Sequence, residues 1–479
     1  MIVHKIIRGL SANTIQLLVN QIFGFVIFFL LSRALSKSNF GELNWTLALL
    51  LTIFNLLSFG IDQMMVKKIA GGGNVSILVS LYALHTFFSG GLFYVLLLIA
   101  KFIFPEFFIQ HTFLLLLGIG KLLIFFSAPY KQLVTGLQKF DLLLFMSVGS
   151  NVVRGLGLLI ISLNGAIRIH EVIVIFIAGD AFELLVCIAI NKSILKSRTT
   201  LPGPKREYIN LLRESLPQIG VVIFTSAIAR FDWIFIGLFV SDVKLAEYSF
   251  AYKIFEISTL PLLAIAPLLV PFFTIFFLKK REENPESVKK INFLVRMEMI
   301  VAGLSAMMVN LLWIPIIDPL TQGKYGLVNK YTVFILTLSI PAIYLNNILW
   351  SINFAIGKLR PIFFVFGISF AVNILGDVGL IPFLKNEGAA GAFILSVFIQ
   401  MLLFYRITDQ FWMKSSWKPL LACLACAFGS LFLSRYLFTS RWVVFLFATI
   451  SYFFFLAVAH QIKRSDYKEF RKLFKNSLS

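Results

Sequence analysis

Long apolar segments joined by short polar links make up nearly the whole chain. A helix needs roughly 20 mostly apolar residues to cross the hydrocarbon core of a bilayer. On that measure fourteen spans are expected, at about residues 11–32, 43–61, 76–100, 110–130, 141–162, 170–191, 215–239, 247–278, 292–316, 332–356, 361–382, 389–408, 416–435 and 441–461. The eighth is long, and Pro261, Pro267 and Pro271 predict kinks within it. Pro217 stands just inside the seventh, a position that favours a helix start. No stretch is long and polar enough for a separate soluble domain, so the predicted fold class is an all-α polytopic membrane protein.

The polar links carry the next layer of information. One alternating set holds 28 basic residues: Lys5, Arg8, Lys67, Lys68, Lys131, Lys139, Lys192, Lys196, Arg198, Lys205, Arg206, Arg213, Lys279, Lys280, Arg281, Lys289, Lys290, Lys358, Arg360, Arg406, Lys414, Lys418 and the tail residues Lys463, Arg464, Lys468, Arg471, Lys472 and Lys475. The other set holds 10: Arg33, Lys37, Lys101, Arg168, Lys244, Lys324, Lys330, Lys385, Arg435 and Arg441. Lys and Arg collect on the cytoplasmic side of membrane proteins, so both termini are expected there. The first segment exceeds a signal-peptide core and no clear small-residue cleavage site follows, which makes it an uncleaved span.

Two internal echoes divide the spans. "FGELNWTLAL" (Phe40 to Leu49) echoes "LAEYSFAYKI" (Leu245 to Ile254), and "TGLQKF" (Thr135 to Phe140) echoes "FAIGKL" (Phe354 to Leu359). Matching positions in two six-span halves imply a duplicated unit of one orientation, an arrangement that places transporter sites between the halves. The expected organisation is an N-lobe over 1–195, a basic cytoplasmic linker over 196–213, a C-lobe over 214–410, two extra spans over 411–462 and a basic tail over 463–479. Pro202, Gly203 and Pro204 mark the linker as the seam.

Composition agrees: 59% of residues are hydrophobic and 14% charged, with a mean hydropathy of +0.89. Soluble proteins are about 45–50% apolar and about 25% charged. A net charge of +20 would suit nucleic acid, but the basic residues follow the loop pattern and face anionic lipid, so no nucleic-acid partner is expected. Cys187, Cys423 and Cys426 all lie in apolar segments, where a redox pair would lack exposed thiolates. There is no phosphate-binding loop, and "GGGN" at Gly71 lacks its lysine and strand. His4, His85, His111, His170 and His460 have no metal spacing, and no cofactor or metal is expected. "NVS" at Asn74 and "NKS" at Asn191 match glycosylation acceptors but fall on cytoplasmic links.

Charges inside spans usually face a cavity or a partner. Lys121, Arg154, Asp180 and Glu183 fall in spans four to six, and Arg230, Asp232, Lys253 and Glu256 in spans seven and eight. Each half thus holds two bases and two acids, readable as pairs that hold the bundle together or as the lining of a path. Arg230 and Asp232, two apart, point to nearly opposite sides of their helix, and Asp232 shares a stripe with Gln218 and Thr225. Lys253 and Glu256, three apart, share a face. Polar stripes run along span one (Asn13, Gln16, Asn20, Gly24), span two (Asn55, Ser58, Asp62) and span ten (Asn346, Trp350, Asn353, Gly357). Such stripes serve as interhelical hydrogen bonds or line an aqueous path, and amides with Trp suit a sugar-lined one.

The chain resembles the polysaccharide or O-antigen flippases of the MATE-like multidrug/oligosaccharidyl-lipid/polysaccharide exporter superfamily. The residues that carry the resemblance are "LSRALSKSNFGELNWTLAL", "GIDQMMVKKIAGGGN", "LVTGLQKFD", "ESLPQI…RFDWIFIG", "AEYSFAYKI" and "NEGAAGAFILS", in that order along essentially the whole chain. The resemblance implies two six-helix lobes around a central cavity, alternating access, and no enzymatic activity. It implies a polyprenyl-pyrophosphate-linked oligosaccharide as substrate, moved across the inner (plasma) membrane of a prokaryote for O-antigen, capsule or exopolysaccharide, with polysaccharide polymerase machinery as a partner. In that frame Arg154, Arg230, Lys253 and Lys121 become candidate contacts for the pyrophosphate, with Asn20, Asn55, Asn346 and Trp350 along the path. Lys67, Lys68 and Arg213 attract it at the cytoplasmic mouth. Asp180, Glu183, Asp232, Glu256 and Asp377 are candidates for coupling to H⁺ or Na⁺. A cation-coupled multidrug exporter of the same superfamily is the alternative, and spans thirteen and fourteen count against it. A membrane glycan polymerase or ligase would need larger external loops than these.

Overall fold

The computed structural model describes residues 2–195, 205–278, 285–409, 413 and 416–463. Outside the described residues lie Lys196, Arg198, the linker residues Pro202, Gly203 and Pro204, Lys279, Lys280, Arg281, Lys414 and the tail beyond Lys463. The side chains of Lys5, Arg8, Asn13, Gln16, Gln218 and Thr225 lie outside them too.

Helix accounts for all the regular structure among the described residues, as blocks of apolar residues too long for strands dictate. The chain is an all-α polytopic membrane protein. Ten helices among the described residues are long and apolar enough to cross a membrane, and Leu18–Ala34 is a shorter apolar stretch. Phe87, Phe88, Leu92, Val95 and Leu96 are exposed along one helix, as lipid-facing side chains are.

The chain folds as two compact units, Met1–Ser249 and Phe250–Ser479. The first contains α1 (Ile2–Ala34), α2 (Lys37–Leu57), α3 (Ile61–Ala70), α4 (Val75–Ile103), α5 (Pro105–Gln110), α6 (Phe113–Gly136), α7 (Phe140–Asn164), α8 (Ile169–Ile190) and α9 (Lys205–Phe239). Here α8 packs against both α6 and α7, α1 against α7, and α9 against α2 and α3. Thus α9, expected as the first span of a second lobe, packs within the first unit, and the unit boundary falls inside α10 (Asp242–Ser258). The second unit continues with α11 (Leu260–Leu278), α12 (Pro285–Thr321), α13 (Lys330–Leu338), α14 (Ile340–Ala355), α15 (Leu359–Ile407), α16 (Trp417–Leu437) and α17 (Arg441–Val458). In it α14 packs against α11, α12 and α15, and α16 against α12 and α17.

Proline divides two of the expected segments, and one strained residue makes the turn between two others. Segment eight divides at Thr259, two residues before Pro261, because proline lacks an N–H and disfavours helix in the residue before it. Segment ten divides the same way at Ser339, two residues before Pro341. Segments eleven and twelve are two helical arms of α15 separated at Lys385, as expected, and its φ of 52° and ψ of −126° reverse the chain there. A Cβ on Gly388 would lie 2.5 Å from the Leu380 carbonyl oxygen and one on Gly376 would lie 2.8 Å from the Ala392 side chain, so the two halves of α15 run antiparallel at close quarters.

The longer echo closes on itself. Asn44 and Ser249 hold equivalent positions in "FGELNWTLAL" and "LAEYSFAYKI". The Asn44 amide donates to the Ser249 hydroxyl at 3.2 Å. Beside them Trp45 donates through its indole N–H to the Ile234 carbonyl at 3.2 Å. Lys37 and Lys244 pair with opposite oxygens of buried Glu247 at 2.6 and 2.7 Å.

Candidate functional site

The deepest cluster of charge in the first unit is built on α8. Asp180 and Glu183 stand three residues apart, hence on one face, and that face lies between α6 and α7. Asp180 is 1% exposed and Glu183 4%. Lys121 of α6 reaches one oxygen of Asp180 at 3.1 Å, and Arg154 of α7 pairs with the other. Lys131, lower on α6, pairs with Glu183, and the Ser150 hydroxyl donates to that carboxylate's second oxygen. Glycines leave room for the ions. A Cβ on Gly120 would sit 2.6 Å from Asp180 Oδ2, and one on Gly179 would sit 2.9 Å from Arg154 Cγ.

The cluster extends across a fourth helix. Arg154 donates to Asn151 Oδ1 at 3.3 Å, and the Asn151 amide donates to Asn20 Oδ1 of α1 at 3.2 Å. The Arg154 guanidinium also lies over the Phe176 ring, 5.0 Å from its centroid, while its Nε has no hydrogen-bond partner. Four candidates separated in sequence, Asn20, Lys121, Arg154 and Asp180, therefore form one connected network with Glu183 at its edge. Sequence reading balanced two bases against two acids and assigned Lys131 to a link. The structure places Lys131 within α6 on Glu183, so three bases meet two acids and one positive charge is left over.

The other candidates sit apart from this network. Arg230 stacks over Trp233 at 4.4 Å. Buried Asp232 accepts from the Tyr248 hydroxyl at 2.7 Å and from the Trp233 N–H at 2.8 Å. Lys253 pairs with Glu256 at 2.6 Å on their shared face. The Ser58 hydroxyl donates to the Asn55 carbonyl at 2.8 Å. In the second unit Asn346 donates to the Val397 carbonyl at 3.1 Å and to Gln400 Oε1 at 3.0 Å, a hydrogen-bonding role between α14 and α15. Trp350 packs its ring 5.3 Å from that of Phe354. Asp377 is fully buried on α15, one turn from buried Asn373. Lys67 and Lys68 line a cleft of about 500 Å³ with Asn74, Glu207, Asn210 and Glu214, and Lys68 pairs with Glu214 at 2.9 Å. Arg213 is exposed and does not line that cleft.

Sequence reasoning passed over two intramembrane charges, Arg296 and Glu298 of α12. The signal was the one that found the others: they interrupt the ninth apolar segment, close behind the basic pair Lys289 and Lys290.

Residues 6–277 match the family model described as polysaccharide biosynthesis protein. No curated protein matches the chain. Among solved structures, the lipid II flippase MurJ in an inward closed conformation is similar with a TM-score of 0.73 and 18% identity, over 93% of this chain and 98% of that one. A multidrug resistance MATE family transporter of the MOP superfamily, in an inward-facing conformation, is similar with a TM-score of 0.65 and 12% identity, over 81% and 96%. A MOP superfamily transporter from Pyrococcus furiosus follows at 0.58 and 12% identity, over 88% and 96%. These likenesses establish a shared fold.

Proposed function

The chain belongs to the polysaccharide biosynthesis protein family, and on that premise we propose that it is a flippase for a polyprenyl-pyrophosphate-linked oligosaccharide in surface polysaccharide synthesis. It works by alternating access in the plasma membrane of a prokaryote. Both termini are cytoplasmic, on the strength of the basic-loop asymmetry. The spans number fourteen, as two repeated halves followed by a C-terminal pair.

The observation that carries this reading is the surplus positive charge of the Lys121–Asp180–Arg154–Glu183–Lys131 cluster. A glycan headgroup cannot cross hydrocarbon without polar partners. A pyrophosphate in addition needs cations, which are scarce at membrane depth. Arg154 holds a spare Nε donor and a planar fork suited to phosphate oxygens. Lys67 and Lys68, lining their cleft, supply the first attraction at the cytoplasmic mouth. Lys253 and Arg230 are further candidate pyrophosphate contacts, and amides such as Asn20 and Asn55 meet sugar hydroxyls. H⁺ or Na⁺ drives the cycle through Asp232, Asp377 or Glu256, and the product passes to the polymerase.

The test is genetic and topological. Deleting the gene leaves glycan precursors accessible only from the cytoplasmic face, and normal surface glycan in the deletion strain overturns the reading. Arg154→Ala and Lys253→Ala each reduce surface glycan with normal membrane insertion; wild-type glycan in both makes these charges packing pairs. Na⁺- or H⁺-dependent dye efflux with untouched surface glycan replaces the reading with that of a multidrug exporter.

A further inference from the structure

Glu298 lies deep in α12 of the second unit. It is 3% exposed, and neither carboxylate oxygen has a hydrogen-bond partner. It lies seven residues past Ile291, where the apolar part of α12 begins, which is about 10 Å inside at 1.5 Å per residue. Arg296, two positions earlier on α12, points to nearly the opposite side.

Among the described residues, the helices packed against α12 offer Glu298 no counter-ion. Tyr344 of α14 is the titratable group within electrostatic reach of Glu298. On α16, Cys423 and Cys426 are buried thiols, Lys418 stands at the start of the helix, and Arg435 donates to the Asn310 carbonyl at 3.2 Å. On α17, Arg441 stands at the start and Tyr452 donates to the Ile300 carbonyl at 2.9 Å. On α13, Lys330 lies over Tyr331 at 5.5 Å. None of these bonds to Glu298.

An ionised carboxylate in such surroundings would carry its whole desolvation cost unrelieved, whereas the neutral acid is tolerated. The surroundings also hold polar atoms in waiting. Asn347 Nδ2 and Ser351 Oγ are buried without hydrogen-bond partners, and the buried Tyr344 hydroxyl lies near Ser305 and the Leu262 backbone. Tyr344, Asn347 and Ser351 fall at i, i+3 and i+7 of α14, one stripe of a helix. The stripe begins beside Glu298 and runs toward the C-terminal end of α14. A line of buried donors and acceptors is where buried water is held and where protons move.

We propose that Glu298 is a proton-binding site of the second unit, loaded in this state and discharged along the Tyr344–Asn347–Ser351 stripe when α12 and α14 part enough to admit water. It deepens the transporter reading by naming H⁺ as a coupling ion and its carrier.

The test uses dicyclohexylcarbodiimide, which attacks protonated carboxyls in apolar surroundings, on the purified full-length protein, with peptide mass spectrometry as the readout. Glu298 is labelled, labelling falls as the pH is raised, and Glu298→Gln loses the label entirely while eluting as the wild type does in size exclusion. Glu298→Asp keeps a pH-dependent label. The infrared acid C=O band that titrates with pH disappears in Glu298→Gln. An unlabelled Glu298 with no titrating band at any pH overturns the site. Labelling without any effect of the protein on surface glycan keeps the site and removes the flippase reading; glycan export with an inert Glu298 does the reverse.

Discussion

In the first unit Asp180 and Glu183 take three bases between them, whereas in the second Glu298 lies equally deep with none. The same side-chain chemistry therefore does two different jobs. A carboxylate clasped by Lys121 and Arg154 is fixed in place by two ion pairs. A carboxyl with no partner keeps its proton until its surroundings change. The paired acids hold helices α6, α7 and α8 together around a fixed field. The lone acid holds nothing and is free to change state.

Four substitutions break or sharpen that contrast, measured by thermal unfolding in detergent. Asp180→Ala has the largest effect: it strands Lys121 and Arg154 and destabilises by about 3–5 kcal/mol. An unchanged melting temperature would dissolve the cluster. Gly120→Ala follows, since its Cβ would meet Asp180 Oδ2 at 2.6 Å; overpacking of this kind costs about 1–3 kcal/mol. No loss there would mean that α6 and α8 are more loosely spaced. Lys68→Ala removes a pair whose side chains are 31% and 49% exposed; about 0.2–1 kcal/mol is expected, and a loss as large as that of Asp180→Ala would make burial irrelevant to pairing. Glu298→Gln replaces a neutral acid with a near-isosteric amide and has the smallest effect of the four on stability. A large loss would reveal an ionised, compensated Glu298 and end the contrast.

The sequence announced most of the first cluster, in pieces. Lys121, Arg154, Asp180 and Glu183 each interrupted an apolar run, and the three-residue spacing put both acids on one helix face. Which base meets which acid was not readable, because pairing depends on how α6 and α7 rotate against α8. Lys131 was hidden by its place at the end of a span, where a base on the membrane surface and a base turned inward have the same sequence context. The divided segments show the same limit. Pro261 signalled a kink in the eighth, but its twin at Pro341 went unmarked although the physics is identical. The reversal at Lys385 was legible as the gap between residues 382 and 389, but the residue that turns the chain was not, since the φ of 52° falls on a residue other than glycine. Glu298 was missed for a simpler reason: the basic residues just before it blur the membrane boundary.

The hydrogen bond from Asn44 to Ser249 has a historical meaning. A residue that meets its own equivalent lies at a symmetry axis, most simply the two-fold of a closed homodimer. If the echoing segments descend from one ancestral segment, this contact is the fossil of a self-associating half-sized protein. The flanking positions have since drifted apart. Lys37 attracts Glu247, while the equivalent of Lys37 is Asp242, which lies within electrostatic reach of Glu42, the equivalent of Glu247. One flank of the old interface therefore brings like charges together and the other pairs opposite ones. Fusion into a single chain permitted such an imbalance, which identical subunits are barred from having.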